Sequence, residues 1–178
     1  MQIAIVMLVL SLNPKQQTEI LSQGRLLFYQ SLDQESKIEP AEALFEQIAG
    51  SAEYGARAKT YLGALTAIRG KHSFWPHKKF ILAKQGLAMM DRGLEENPDD
   101  IEALFIRGST CDYLPFVFGR QNDAQRDFKH ILEQLPGQWR RYDRDLVVNV
   151  IEFILENGDL SADERERARR LLDTVSEK

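Results

Sequence analysis

The hydrophobic and polar positions repeat with the same spacing in three stretches of the chain. In each stretch a small residue comes first, and a bulky residue follows four positions later. Another residue of the same helix face lies three positions after the bulky one, and a helix breaker or loop residue lies five positions after that. The copies are Ala41, Phe45, Ile48 and Glu53; Gly86, Met90, Gly93 and Pro98; and Ala124, Phe128, Ile131 and Pro136. Spacings of four and three place side chains on one helix face. The recurrence predicts an array of helical hairpins.

The rest of the chain carries helical spacing too, interrupted by short loops. Besides the helix from Ala41 to Ala49, we predict helices from about Thr18 to Leu32, Glu53 to Gly70, Ile81 to Glu96, Ile101 to Tyr113, Asp123 to Leu135 and Arg141 to Glu156. Asn97 to Asp100 predicts a stop followed by a new N-cap, and Pro136-Gly137 a turn. Ser161 and Glu164 form a capping box for a last helix. No segment has a convincing strand pattern, so the predicted fold class is all-α.

The first residues allow two interpretations. Ile3 to Leu10 is an uninterrupted apolar run, shorter than the roughly 20 residues that span a bilayer. Its length fits the apolar region of a signal peptide, although no Lys or Arg precedes it and no clear cleavage site follows. Residues 1–14 are therefore either a signal-peptide-like segment of an exported, periplasmic protein or an apolar core segment of a cytoplasmic one. Residues 15–178 are predicted to form one helical repeat domain.

Composition and charge exclude several classes of protein. The chain has 178 residues, of which 43% are hydrophobic and 28% charged, as in globular proteins. A formal net charge of −4 argues against a broad nucleic-acid interface. The only cysteine is Cys111, which excludes an intrachain disulfide and a thiolate metal cluster.

Two further groups of residues begin at the same distance after the end of a copy. Lys59, Leu62-Gly63 and Thr66 begin six residues after Glu53, and Leu104, Arg107-Gly108 and Cys111 begin six residues after Pro98. In these positions, from about residue 41 to 156, the chain resembles the tetratricopeptide repeat family. The resemblance implies a right-handed superhelix (α-solenoid) of about three degenerate helical hairpins, with an extra N-terminal helix and a C-terminal capping helix.

The repeats depart from the family pattern inside two hairpins. Gly63 and Gly86 are 23 residues apart, and Gly108 and Ala124 are 16 apart, both more than the family has. We therefore expect enlarged turns at Lys71 to Phe80 and at Leu114 to Arg120. These segments are similar to parts of uncharacterised exported bacterial proteins of helical-repeat type, which implies no activity.

The family binds protein or peptide partners in a concave groove lined by the first helix of each hairpin. By position, the resemblance implies a groove formed by Arg57, Thr60, Ala64, Ile68, Glu102, Phe105, Ser109, Asp112 and Tyr113. Phe105 and Tyr113 are either apolar anchors for a peptide or packing residues between helices. The set lacks the paired Lys and Asn with which some family members grip a C-terminal carboxylate.

The expected turns hold further candidates. Trp75, Lys78 and Lys79 combine an aromatic ring with cations, which suits a partner peptide, an anionic ligand or a membrane surface. The alternative is that Phe74 and Trp75 fold back into the hairpin. The apolar stretch from Leu114 to Phe118 is expected in the core, or else as a protein contact.

Nothing in the sequence nominates a catalytic residue, cofactor or metal ligand, since the common catalytic and phosphate-binding motifs are missing. We expect a non-enzymatic scaffold that binds a protein or peptide, with no nucleic-acid partner and no membrane span. The alternatives are a structural or self-associating subunit of a cell-envelope assembly, which includes a homo-oligomer, and an unrecognised helical enzyme.

Overall fold

A computed structural model describes residues 12–177 of the chain. The apolar run from Ile3 to Leu10, and with it the choice between a signal-peptide-like segment and a core segment, lies outside the described residues. Residues 12–177 are all-helical and contain no strand, which confirms the predicted class. Among the helices of this part of the chain, none has both the length and the apolar character needed to cross a bilayer.

Within residues 12–177, eight α-helices packed against each other follow one another. They are α1 (Pro14–Ser31), α2 (Ile38–Ile48), α3 (Gly55–His72), α4 (Pro76–Glu96), α5 (Ile101–Tyr113), α6 (Gln121–Gln138), α7 (Arg144–Asn157) and α8 (Ala162–Ser176). Single 3-10 turns occupy Glu35–Lys37, Phe116–Phe118 and Trp139–Arg141.

Polar side chains cap the N-termini of α5 and α8, as the sequence predicts. Asp100 accepts the backbone N–H of Ala103 at 2.9 Å and caps α5. Ser161 accepts the N–H of Glu164 at 3.3 Å, and the Glu164 side chain accepts the Ser161 N–H at 2.7 Å. These bonds satisfy backbone donors that a helix start leaves unpaired, so the predicted cap and capping box are confirmed.

Successive helices pair as antiparallel hairpins, α1 with α2, α3 with α4, α5 with α6 and α7 with α8. In the second hairpin, Gly70 near the end of α3 lies beside Leu82 near the start of α4, and Thr60 lies beside Gly93 near the end of α4. In the fourth, Arg144 at the start of α7 donates to a carbonyl near the end of α8 at 2.9 Å. The structure contains a helix N-terminal to the repeats, as predicted, and this helix, α1, pairs with α2 as the first arm of a hairpin.

Two backbones come into direct contact in the seam between α3 and α4. A Cβ atom placed on Gly63 would lie 2.6 Å from the carbonyl oxygen of Gly86, and one placed on Gly86 would collide with the carbonyl oxygen of Gly63. Both positions therefore require glycine, because any side chain would force the helices apart.

The long spacing between these glycines is taken up by longer helices, not by a longer turn. The helix α3 continues to His72 and α4 begins at Pro76, so the connection consists of residues 73–75. The expectation of a loop over residues 71–80 is wrong. Pro76 occupies the first helical position, where its missing N–H removes no intrahelical hydrogen bond.

The repeated positions face the core as their spacing predicts. Their side chains are at most 1% exposed at Ala41, Phe45, Ile48, Met90, Ala124, Phe128 and Ile131. In the first two hairpins, the Tyr61 ring stacks on Phe45 with centroids 4.4 Å apart and meets Phe28 edge-on at 4.9 Å. Aromatic packing thus joins α1, α2 and α3.

Two local predictions fail in instructive ways. The helix α6 continues through Pro136 to Gln138, because a proline in the last turn removes only one hydrogen bond and the chain then tightens into a 3-10 turn. The stretch from Leu114 to Phe118 is not in the core as a whole. Leu114 and Phe118 pack against the core, but Phe116 is 86% exposed, because the 3-10 turn directs it outward.

Candidate functional site

The first turn of α5 carries a carboxylate that is fully buried between three helices. Glu102 is the second residue of α5, and its side chain is 0% exposed. The N-terminus of a helix favours a negative charge, but a buried charge also needs partners that replace the lost hydration. Residues of α1 and α3 supply these partners.

Two arginines and a tyrosine surround the Glu102 carboxylate. Arg25 of α1 donates from Nε to Oε1 at 2.5 Å and from Nη2 to Oε2. Arg57 of α3 places Nη1 3.1 Å from Oε2, and Tyr61 donates its hydroxyl to Oε1 at 2.6 Å. One carboxylate therefore joins the first helices of three successive hairpins.

Arg57 also pairs with the carboxylate that caps α5. Its Nε lies 3.1 Å from Oδ1 of Asp100, and its Nη2 lies 2.8 Å from Oδ2. The rings of Tyr54 and Tyr142 lie 5.6 and 5.2 Å from the guanidinium carbon, within reach of a cation–π attraction. The Tyr142 hydroxyl accepts the N–H of Ile101 at 3.1 Å, which ties the segment before α7 to the start of α5.

The Glu102 carboxyl group and the Tyr61 hydroxyl group each keep a single protonation state near neutral pH. Burial by itself would raise the pKa of Glu102, but Arg57 and Arg25 outweigh burial and keep that pKa below its usual range. Burial and the adjacent carboxylate raise the pKa of Tyr61 well above its usual value. Near neutral pH the carboxylate is ionised and the phenol is neutral. The network can thus fix helices and present charge, but it is poorly suited to proton exchange.

A cleft of about 710 Å³ opens beside this network. Its walls come from α1, the start of α3, the α4–α5 connection and the α6–α7 connection. The polar residues that line it are Arg25, Arg57, Arg141, Glu53, Asp99, Asp100, Asp143, Thr18, Ser22, Asn97 and Gln138. Its volume lies within the range of roughly 300–1,000 Å³ that is typical of ligand pockets.

The lining offers both signs of charge and neutral hydrogen-bonding groups. Three arginines and four acids alternate with amide and hydroxyl side chains, and Leu21, Tyr54 and Tyr142 add a smaller apolar share. Such a surface can pair with charged side chains and with the backbone amides of an extended segment.

The predicted groove residues on α3 and at the start of α5 have different environments. Arg57 lines the cleft, and Glu102 lies beneath it in the ion network. Thr60 is fully buried, and its hydroxyl donates to the Ala56 carbonyl at 3.0 Å beside Gly93. Thr60 therefore packs in the hairpin seam and does not line the cleft.

Phe105 packs between helices, and Ser109 forms a hydrogen bond with the backbone of its own helix. The Phe105 side chain is 7% exposed, and its ring meets Phe153 of α7 edge-on at 5.4 Å. The alternative that Phe105 packs between helices is therefore the correct one, because α7 covers its face of α5. The Ser109 hydroxyl donates to the Phe105 carbonyl at 2.7 Å.

The other predicted site residues lie at the opposite end of the hairpins. The 13 residues of α5 extend about 20 Å from the cleft to Tyr113, which is 78% exposed. Asp112 lies beside it, and burial raises the pKa of its carboxyl group. Trp75, Lys78 and Lys79 are exposed at this same end, so the structure does not bring them to the cleft.

The sequence analysis missed Arg25, Tyr54 and Tyr142. The signal that could have found Arg25 is Gly24, which faces Phe45 of α2 as Gly108 faces Phe128 of α6. Counting from this glycine places Thr18, Leu21 and Arg25 at the groove positions of the first hairpin, and all three line the cleft. The two tyrosines gave no such signal.

The acidic residues before α5 do not form one cluster. Asp91 pairs with Arg107 at 3.0 Å and with Arg120 at 2.6 Å, and Glu96 pairs with Lys59 at 2.7 Å. Within residues 12–177, no group of three or more His, Cys, Asp or Glu side chains is placed to hold a metal ion.

Cys111 is buried beside Arg120. Burial raises the pKa of its thiol to about 11, which makes the sulfur a poor nucleophile near neutral pH.

Comparison of the chain with protein-family models, with curated proteins and with solved structures finds no significant match.

Proposed function

We infer that the chain is a non-enzymatic scaffold that binds an extended, polar segment of a protein or peptide in the cleft beside Glu102. The observation that carries this proposal is the polar cleft that α1, the start of α3 and the connections between successive hairpins line together. Its mixed charges would pair with side chains of both signs, while its amides and hydroxyls would bind the peptide backbone.

The register of the hairpins supports a tetratricopeptide-like arrangement. Gly24, Gly63 and Gly108 each lie on a first helix and face the second helix of the same hairpin. Thr18 and Arg57 both lie six residues before such a glycine, and both line the cleft. In the family this position faces the groove, so a TPR-like superhelix would place these residues on its concave side.

The rigidity of the lining also favours binding. Arg25 and Arg57 are held by Glu102 and Asp100, so their guanidinium groups lose little freedom when a ligand arrives. Preorganised groups of this kind raise affinity because their side-chain entropy is lost during folding and not on binding.

The test uses the full chain as bait for displayed random peptides. Enriched peptides are synthesised, and their affinities are measured by calorimetry for the wild type and for Ser22→Trp, which fills the cleft from its exposed rim. We expect Ser22→Trp to weaken binding by about tenfold or more. Gln47→Trp on the exposed face of α2 is the matched control, and it should leave the affinity unchanged.

Two results would contradict the proposal. If no peptide is enriched above background, the chain is not a peptide-binding scaffold of this kind. If enriched peptides bind Ser22→Trp and Gln47→Trp with equal affinity, binding occurs outside the cleft.

A further inference from the structure

The turns at the far ends of two hairpins expose large apolar side chains. The α3–α4 connection exposes Phe74 by 85% and Trp75 by 55%. The α5–α6 connection exposes Phe116 by 86% and Val117 by 74%. The alternative that Phe74 and Trp75 fold back into the hairpin is therefore wrong, since the glycine seam leaves no space for them. Clustered exposure of this kind marks an interaction site.

The two turns form one continuous surface. Phe80 in the first turns of α4 stacks on Phe118 of the α5–α6 connection, with ring centroids 5.0 Å apart and the planes inclined by 29°. This contact holds the exposed side chains of both turns at the same end of the molecule. We term the surface formed by the two turns, residues 73–81 and 113–118, the aromatic end.

The charge around the α3–α4 connection is one-sided, whereas Asp112 adds one carboxylate beside the α5–α6 connection. The 37 residues from 54 to 90 contain seven Lys and Arg and no Asp or Glu, in a chain whose net charge is −4. Four of the seven are lysines in the helices beside the α3–α4 connection, and all four are exposed. They are Lys71, Lys78, Lys79 and Lys84.

These lysines lack acidic partners within the described residues. Lys71 donates to the carbonyl oxygen of Leu32 at 2.7 Å, and Lys84 lies 5.6 Å from the centroid of the Phe80 ring. Within residues 12–177, no carboxylate lies within 4.0 Å of any of the four ammonium groups. The α3–α4 side of the aromatic end therefore has an excess of positive charge, which favours an anionic partner.

We propose that the aromatic end binds the surface of an anionic lipid bilayer. Phe74, Trp75 and Phe116 would enter the interfacial layer, which aromatic rings favour, while the lysines would contact anionic headgroups. Each lysine near such a surface raises affinity by about fivefold. A bilayer fits better than an acidic protein, because rings that project almost free of neighbours need no matching pocket in a fluid interface.

This inference is independent of the peptide-binding proposal. The cleft lies at the opposite end of α3 and α5, so it stays open when the aromatic end is bound. Peptide binding and lipid binding can therefore be lost separately.

The test is co-sedimentation of the full chain with vesicles of phosphatidylcholine, with and without phosphatidylglycerol. We expect binding only with phosphatidylglycerol, weakened by salt. Lys78→Glu/Lys79→Glu should weaken it by about 25-fold or more, and Phe74→Ser/Phe116→Ser by about tenfold or more. In a Trp139→Phe background Trp75 is the only tryptophan, and its emission should shift to the blue on the anionic vesicles.

Matched controls separate the site from general properties of the chain. Lys15→Glu/Lys129→Glu changes the net charge equally, but both lysines are exposed away from the aromatic end. Leu26→Ser removes a side chain that is 60% exposed on α1. Both controls should sediment like the wild type, and circular dichroism checks that every variant is folded.

Several results would overturn the inference. Absence of vesicle binding, or equal binding with and without phosphatidylglycerol, would do so. Binding to poly-glutamate without binding to vesicles would assign the surface to an acidic polypeptide. Self-association that Phe74→Ser/Phe116→Ser abolishes, without vesicle binding, would assign it to a contact between copies of this chain.

Discussion

The two ends of the helical hairpins differ in which side chains they bury and which they expose. At the cleft end, Glu102 is buried and pairs with Arg25 and Arg57. At the aromatic end, Phe74 and Phe116 are exposed, and the nearby lysines have no acidic partner among the residues that the structure describes. The same hairpin architecture thus buries charge at one end and exposes apolar surface at the other.

The difference shows which connections bear the packing of one hairpin on the next. The cleft end contains the connections between hairpins, where Arg57 reaches Asp100 across 43 positions of sequence. The aromatic end contains the turns within hairpins, which need only reverse the chain. Such turns can carry exposed side chains, because reversing the chain does not require every side chain of the turn to be buried.

Removing the buried carboxylate should have the largest effect. Glu102→Ala leaves Arg25 and Arg57 without their shared partner and should lower the free energy of unfolding by about 3–5 kcal/mol. Urea denaturation followed by circular dichroism measures the change. Glu96→Ala is the control, because Glu96 pairs with Lys59 at the surface and its loss should cost less than about 1 kcal/mol. Equal costs for both variants would contradict the buried network.

The seam that connects the two ends should be the next most sensitive feature. Gly63→Ala places a methyl group against the backbone of α4 and should cost about 1–3 kcal/mol through overpacking. Gly50→Ala is the matched control, since a Cβ there meets nothing within 4 Å. Thermal melts of both variants give the comparison, and an unchanged melting temperature for Gly63→Ala would argue against close contact of the two backbones.

Acidification should remove the stability that the Glu102 carboxylate adds to the cleft end. The folded-state pKa of Glu102 is lowered, whereas an unfolded chain titrates glutamate near about 4.3. The stability that this carboxylate adds is present above the unfolded-state pKa and is lost as pH falls through the folded-state pKa. Between neutral pH and pH of about 3, the wild type should lose more stability than Glu102→Gln. Parallel losses in urea titrations of the two proteins would contradict this.

Changes at the aromatic end should hardly affect stability. Phe74→Ser and Phe116→Ser remove side chains that are 85% and 86% exposed, so each should change the free energy of unfolding by less than about 0.5 kcal/mol. Phe45→Ala removes a fully buried ring and should cost about 3–5 kcal/mol. Urea midpoints provide the measurement. A large loss in either serine variant would mean that the exposed rings support the fold.

Much of the fold could be predicted from local patterns, whereas little of the candidate site could. The spacing of Ala41, Phe45 and Ile48 depends only on helix geometry, and it correctly assigned the core face. The family resemblance placed Phe105 in the groove, with packing between helices as the alternative, and α7 covers it. Spacing along a chain shows which residues share a face, but it does not show what lies against that face.

The sequence by itself determined the helices, their caps and the glycines at which they pack, because each depends on residues within a few turns of one another. Only the tertiary structure decided that Arg25 meets Glu102 across 77 positions and that Phe74 remains in water. Both outcomes depend on how the hairpins stack. That stacking is the sum of many weak contacts between distant segments, and no local pattern encodes it.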